Sequence, residues 1–73
     1  MTRHYKLTDI DCANCAAKIE AKIQKIKGVE SASVVFLSQK VTITADESEF
    51  DRIYAEAVKA VKKVEPDCEL VEL

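Results

Sequence analysis

The chain has one glycine, Gly28, one proline, Pro66, one histidine, His4, and no tryptophan. A single glycine supplies neither a Gly-rich phosphate loop nor a dinucleotide-binding fingerprint. A single histidine near the start excludes an H-E-x-x-H zinc helix and argues against a His-based hydrolytic site. The 11 lysines and arginines are dispersed and the net charge is −2, so there is no basic block and no support for nucleic-acid binding. No apolar run approaches the ~20 residues of a membrane span. Residues 1–15 lack the apolar stretch of a signal peptide. The piece is therefore expected to be soluble, either freestanding or as the soluble end of a membrane protein. Three cysteines make an odd number for a disulfide framework, which favours a reducing cytosol.

What is present is an ordinary globular balance, 48% apolar and 33% charged, which argues against disorder. Seventy-three residues fit one domain, residues 1–73, with one core. At this length only about 60% of the unfolded chain's surface can be buried, so stability should be modest.

Residues 3–8, "RHYKLT", alternate, with Tyr5 and Leu7 on one face and His4, Lys6 and Thr8 on the other. That is a strand with one buried side, and His4 is expected to be solvated. "DIDCAN" breaks the alternation and reads as a loop, with Ile10 as an apolar plug beneath it. From Ala13 the period changes: Ala16, Ile19, Ile23 and Ile26 form a helical stripe. This helix is expected to run to Gly28 as its stop signal, with Lys25 and Lys27 in the last turn. "VESASVVFL" alternates again, with Ala32, Val34 and Phe36 inward. "LSQK" is a short turn, and "KVTIT" completes a hairpin with Val41 and Ile43 inward. Asp46 or Ser48 can cap a second helix, whose stripe is Phe50, Ile53, Tyr54, Ala57, Val58, Val61 and Val64. Glu65-Pro66-Asp67 stops it. "CELVEL" is a last strand, with Cys68 and Leu70 inward.

The order strand, helix, strand, strand, helix, strand predicts an α+β, ferredoxin-like βαββαβ fold. Its antiparallel four-stranded sheet carries both helices on one face. Apolar burial at ~25 cal/mol per Å² should hold this layer together without a ligand, unlike a zinc finger. Cys68 is expected to be a small core residue.

On that fold "IDCANC" joins the first strand to the first helix. A spacing of three brings the sulfurs of Cys12 and Cys15 to one side of the first turn. The helix N-terminus there is expected to lower their thiol pKa values and favour thiolates. Two sulfurs alone suit Cu(I). Asp11, Cys12 and Cys15 together form an S₂O set that better suits a divalent ion such as Zn²⁺, with Cd²⁺ and Pb²⁺ fitting the same donors. Asp11 can also be read as a helix-terminal acid or loop cap. Glu65 lies in a connection expected at the same end of the sheet, as a further ligand or as a solvated turn acid. A thioredoxin-like redox motif would need a parallel βαβ setting, with an aromatic and a proline nearby, and "DCANCAAK" has neither.

These residues resemble the heavy-metal-associated domain, the βαββαβ module of copper chaperones, mercury-binding proteins and the cytosolic ends of metal-pumping P-type ATPases. The hallmark Gly-Met-Thr-Cys-x-x-Cys corresponds to "DIDCANC", and the helix-ending Gly-Val to Gly28-Val29. Ile10 replaces methionine as an apolar residue. Asp9 replaces glycine, which leaves room for a local change in the loop backbone. Asp11 replaces threonine. Asp-Cys-x-x-Cys resembles the domains of zinc-, cadmium- and lead-exporting ATPases, whereas Thr-Cys-x-x-Cys accompanies copper. Glu65-Pro66 stands where copper domains tend to carry Gly-Tyr or Gly-Phe.

The resemblance implies a non-enzymatic module that binds Zn²⁺, Cd²⁺ or Pb²⁺ and delivers it to, or regulates, a metal-exporting P-type ATPase. Its partner would be the membrane transport domain of the same protein. The module would be a cytoplasmic monomer that does not itself insert into the membrane, with the parent protein in the cell membrane. The chain stops after its last strand, as an excised domain would. The rivals are a Cu(I) chaperone or copper-ATPase domain, a thiol-redox enzyme, and a structural interaction domain.

Overall fold

A computed structural model describes residues 1–10 and 12–73. The reading of Asp11 lies outside the described residues. The elements are β1 (Thr2–Thr8), α1 (Ala13–Gln24), β2 (Val29–Val35), β3 (Lys40–Ala45), α2 (Phe50–Val64) and β4 (Glu69–Glu72). The sheet order is β2-β3-β1-β4, and every neighbouring pair is antiparallel. This is the ferredoxin-like arrangement expected.

The alternating strands and the helical stripes meet in one apolar layer. Tyr5, Leu7, Val41, Ile43 and Leu70 face Ile19, Ile23, Phe50, Ile53 and Val61, and all are buried. Among the described residues no polar or charged side chain is buried, so the layer needs no internal ion pair to be stable. Cys68 is fully buried as expected, but it sits just before β4 rather than within it.

The C-terminal end of α1 differs from expectation. Helix α1 stops at Gln24, four residues before Gly28. The amides of Lys25 and Ile26 bond three residues back, to Lys22 and Ile23, so the last turn tightens instead of continuing. The Val29 amide then bonds to the Ile26 carbonyl, and Gly28 has φ +99°, the conformation a type II turn demands at its third position. This turn lets Ile26 pack against the core edge before β2 begins. Strand β2 carries a bulge between Val29 and Ser31. The extra residue explains how Val29 and Ala32, an odd number of positions apart, both face inward.

Neither candidate caps α2 itself, whose N-cap is Glu49 without a side-chain hydrogen bond; Asp46 caps the turn before it. Its Oδ1 accepts from the Ser48 amide and hydroxyl, each at 3.1 Å, closing a 3₁₀ turn (Glu47–Glu49) that leads into α2.

Side chains from the helices also reach the outer strands. On β2 the Val34 amide donates to Glu20 Oε2 at 2.8 Å, and Gln24 Nε2 donates to the Ala32 carbonyl at 2.9 Å. On β4 the Tyr54 hydroxyl donates to the Leu70 carbonyl at 2.7 Å.

Candidate metal centre

Three connections gather at one end of the sheet: the β1–α1 loop, the β2–β3 turn and the α2–β4 link. The antiparallel register forces this, because Lys6 pairs with Lys40 and Thr8 with Glu69.

The β1–α1 loop begins at Asp9, whose φ of +58° is left-handed. Glycine takes this conformation without strain, and aspartate is among the residues that tolerate it. The replacement of glycine by Asp9 thus keeps a glycine-like backbone at this point. Ile10 follows and is buried, the apolar plug expected.

Cys12 is the N-cap residue of α1, with extended backbone, and Cys15 lies in the first turn. Both are half-buried, and neither is joined in a disulfide. They are hydrogen-bonded to each other. Glu65 caps the C-terminus of α2 and is half-buried, and its charge reaches Cys15. The topology thus brings Cys12, Cys15 and Glu65 to one rim of the molecule. Among the described residues, however, no three His, Cys, Asp or Glu side chains are gathered closely enough to hold a metal ion. His4 stays on the exposed sheet face, where its Nδ1 meets Thr42 Oγ1 at 3.1 Å.

The Cys15 thiol corrects one expectation. Its pKa is raised, not lowered. The largest cause is the hydrogen bond to Cys12, followed by partial burial and by the negative charge of Cys12 and Glu65. Lys18 opposes these. The helix end does not overcome the neighbouring Cys12 sulfur, partial burial and the Glu65 carboxylate, which all favour the protonated form of Cys15.

One contact to this loop carried no signal in the sequence. Gln39, in the β2–β3 turn, donates from Nε2 to the Ile10 carbonyl at 2.9 Å, and its own carbonyl accepts from the Leu7 amide at 2.8 Å. "LSQK" reads only as a polar turn, because a bond across 29 positions leaves no local pattern.

A ferredoxin-like sheet with a cysteine pair at the first helix N-terminus defines a class of small metal-binding modules rather than catalytic ones. The heavy-metal-associated domain family matches residues 5–68, and the chain belongs to it. A cadmium, zinc and cobalt-transporting ATPase of Bacillus subtilis (strain 168) is 36% identical over 64 residues. The match takes in 88% of this chain but only 9% of that ATPase. The apo-form of the N-terminal domain of ZntA superposes with a TM-score of 0.74 at 28% identity, covering 99% of this chain and 90% of that one. The Cu(I)-loaded N-terminal domain of a potential copper-translocating P-type ATPase from Bacillus subtilis gives 0.77 at 28% identity, covering 97% and 84%. No described helix is long and apolar enough to cross a membrane.

Proposed function

We propose that this domain binds a divalent, borderline-soft ion, Zn²⁺, Cd²⁺ or Pb²⁺, through Cys12, Cys15 and Asp11, and exchanges it with a metal-exporting P-type ATPase. The observation that carries the reading is the half-buried thiol pair at the start of α1, preceded in sequence by an aspartate. Two thiolates and a carboxylate carry about three negative charges, which favours a 2+ ion over a 1+ ion. Zinc prefers three or four such donors. Glu65 adds negative potential at the same rim and is the candidate for a further oxygen donor. The site's incomplete enclosure suits transfer by ligand exchange better than permanent structural binding. The similarity to a metal-transporting ATPase supports the transport domain of the same membrane protein as the partner; in this reading the domain works as a cytosolic monomer beside it.

The second reading, a Cu(I) carrier, is favoured by the copper-loaded structural relative. Titration of Zn²⁺, Cd²⁺, Pb²⁺ and Cu(I) into the wild type, Asp11→Ala and Glu65→Gln separates the two. X-ray absorption counts the sulfur and oxygen neighbours. The divalent reading expects an oxygen neighbour and a marked loss of Zn²⁺ affinity in Asp11→Ala. Two-sulfur Cu(I) binding that is indifferent to Asp11 would replace it with copper. Unchanged Zn²⁺ and Cd²⁺ affinity in Glu65→Gln would remove Glu65 from the ligand set.

A further inference from the structure

Two non-glycine residues among those described have positive φ, Asp9 at +58° and Gln39 at +55°. Both lie at the end of the sheet that carries the cysteine loop. Left-handed backbone is several-fold enriched for aspartate but uncommon for glutamine. Such a conformation persists where surrounding contacts hold it. For Gln39 those contacts converge on one short stretch. Its carbonyl accepts from the Leu7 amide at 2.8 Å, and its side-chain amide donates to the Ile10 carbonyl at 2.9 Å. One turn residue therefore grips the chain on both sides of Thr8 and Asp9. The carbonyl it holds belongs to the peptide group that joins Ile10 to Asp11, one bond before the proposed ligand run. The buried Ile10 side chain holds the same residue from below.

We propose that Gln39 is a positioning residue for the metal site. It fixes the Ile10 carbonyl, the last described group before the ligand run. The incoming ion then meets a preset loop rather than one it must order. Gln39 is not itself a ligand. The inference rests on the functional reading above, that this loop binds a divalent ion.

The test uses the whole chain, with Zn²⁺ and Cd²⁺ titrated in competition with a chromophoric chelator, and with thermal melts of the apo-protein. Gln39→Gly accepts the positive φ without strain and removes the side-chain amide. Gln39→Met keeps the length and the strained backbone and removes the same amide. Loss of one hydrogen bond of this kind corresponds to about a 3- to 10-fold change. Both variants are expected to bind the two ions about 3- to 10-fold more weakly, by similar factors, while Gln39→Gly melts above Gln39→Met. A purely structural role would make affinity follow the melting order, with Gln39→Gly close to wild type, and that result overturns the proposal. Wild-type affinity in both variants also overturns it. A wild type that binds neither ion overturns the functional reading as well, whereas wild-type binding with unaltered variants sinks only the role given to Gln39.

Discussion

Gly28→Ala tests the turn that replaces the last helical residues. At φ +99° a side chain is strained whatever space surrounds it. A residue with a Cβ in left-handed backbone costs roughly 1–2 kcal/mol, and +99° lies beyond the centre of that well. The new Cβ would also stand 2.7 Å from Arg52 Nη2, too close for either to stay in place. That nitrogen donates to the Lys27 carbonyl at 2.6 Å and to Glu49 Oε2 at 2.7 Å, so moving it breaks contacts on both sides. Against this, alanine lowers the entropy of the unfolded chain, worth about 0.4–1 kcal/mol. The net expectation is a loss of about 1–2 kcal/mol. For a domain of this size that lowers Tm by roughly 5–15 °C. Thermal and urea melts of Gly28→Ala, Arg52→Ala and the double variant separate the causes. Removing the guanidinium relieves the collision but not the backbone, so the double variant should keep most of the Gly28→Ala loss. The ion pairs of Arg52 are exposed and screened, and its single substitution should be mild. Metal affinity should not change, because the turn lies at the other end of α1, about 18 Å from Cys12 by helix rise. A Gly28→Ala domain as stable as wild type, or a loss that vanishes without Arg52, would refute the reasoning.

Ile53 is fully buried, and Ile53→Ala should cost about 2–5 kcal/mol in urea unfolding. That is a large share of the ~4–11 kcal/mol expected for 73 residues. Because Cys15 holds its proton more tightly than an ordinary thiol, metal must displace that proton across the whole neutral range. Competition titrations should show Zn²⁺ affinity rising about 10- to 100-fold per pH unit from pH 6 to 8, according to whether one or two protons leave, and a flat profile would rule out thiolate ligation. The Asp46 carboxylate is held below its usual range by the Ser48 amide and hydroxyl. Its contribution is therefore present above the ordinary carboxylate pKa of about 3.9 and is lost as pH falls through the depressed value. Asp46→Asn should weaken this acid dependence in melts between pH 2 and 5.

The apolar periodicities carried most of the architecture. Tyr5 and Leu7, Val41 and Ile43, and the stripes through Ile19–Ile23 and Ile53–Val61 all face the core as their spacing requires. Period encodes burial directly, so these positions were legible. The end of α1 was not, because Gly28 serves a type II turn rather than a helix cap, and the two uses share one sequence signal. Cys12 and Cys15 were legible as a pair from their spacing alone. The direction of the Cys15 shift was not, because it depends on how a sulfur, a carboxylate from α2 and a lysine balance in space. The Gln39–Ile10 bond and the grip of Glu20 and Gln24 on β2 join residues far apart in the chain, and no local pattern announces them.

The helix side chains that occupy the outward peptide groups of β2 and β4 have a consequence when many copies are crowded together. A strand from a neighbouring molecule that sought to extend the sheet would first have to evict Glu20 and Gln24 at one margin, or Tyr54 at the other. Fibril growth by strand addition begins at unoccupied margins. The domain thus guards itself against templated aggregation with groups already anchored in its own helices, and substitutions at these three positions should reveal themselves first as turbidity at high concentration.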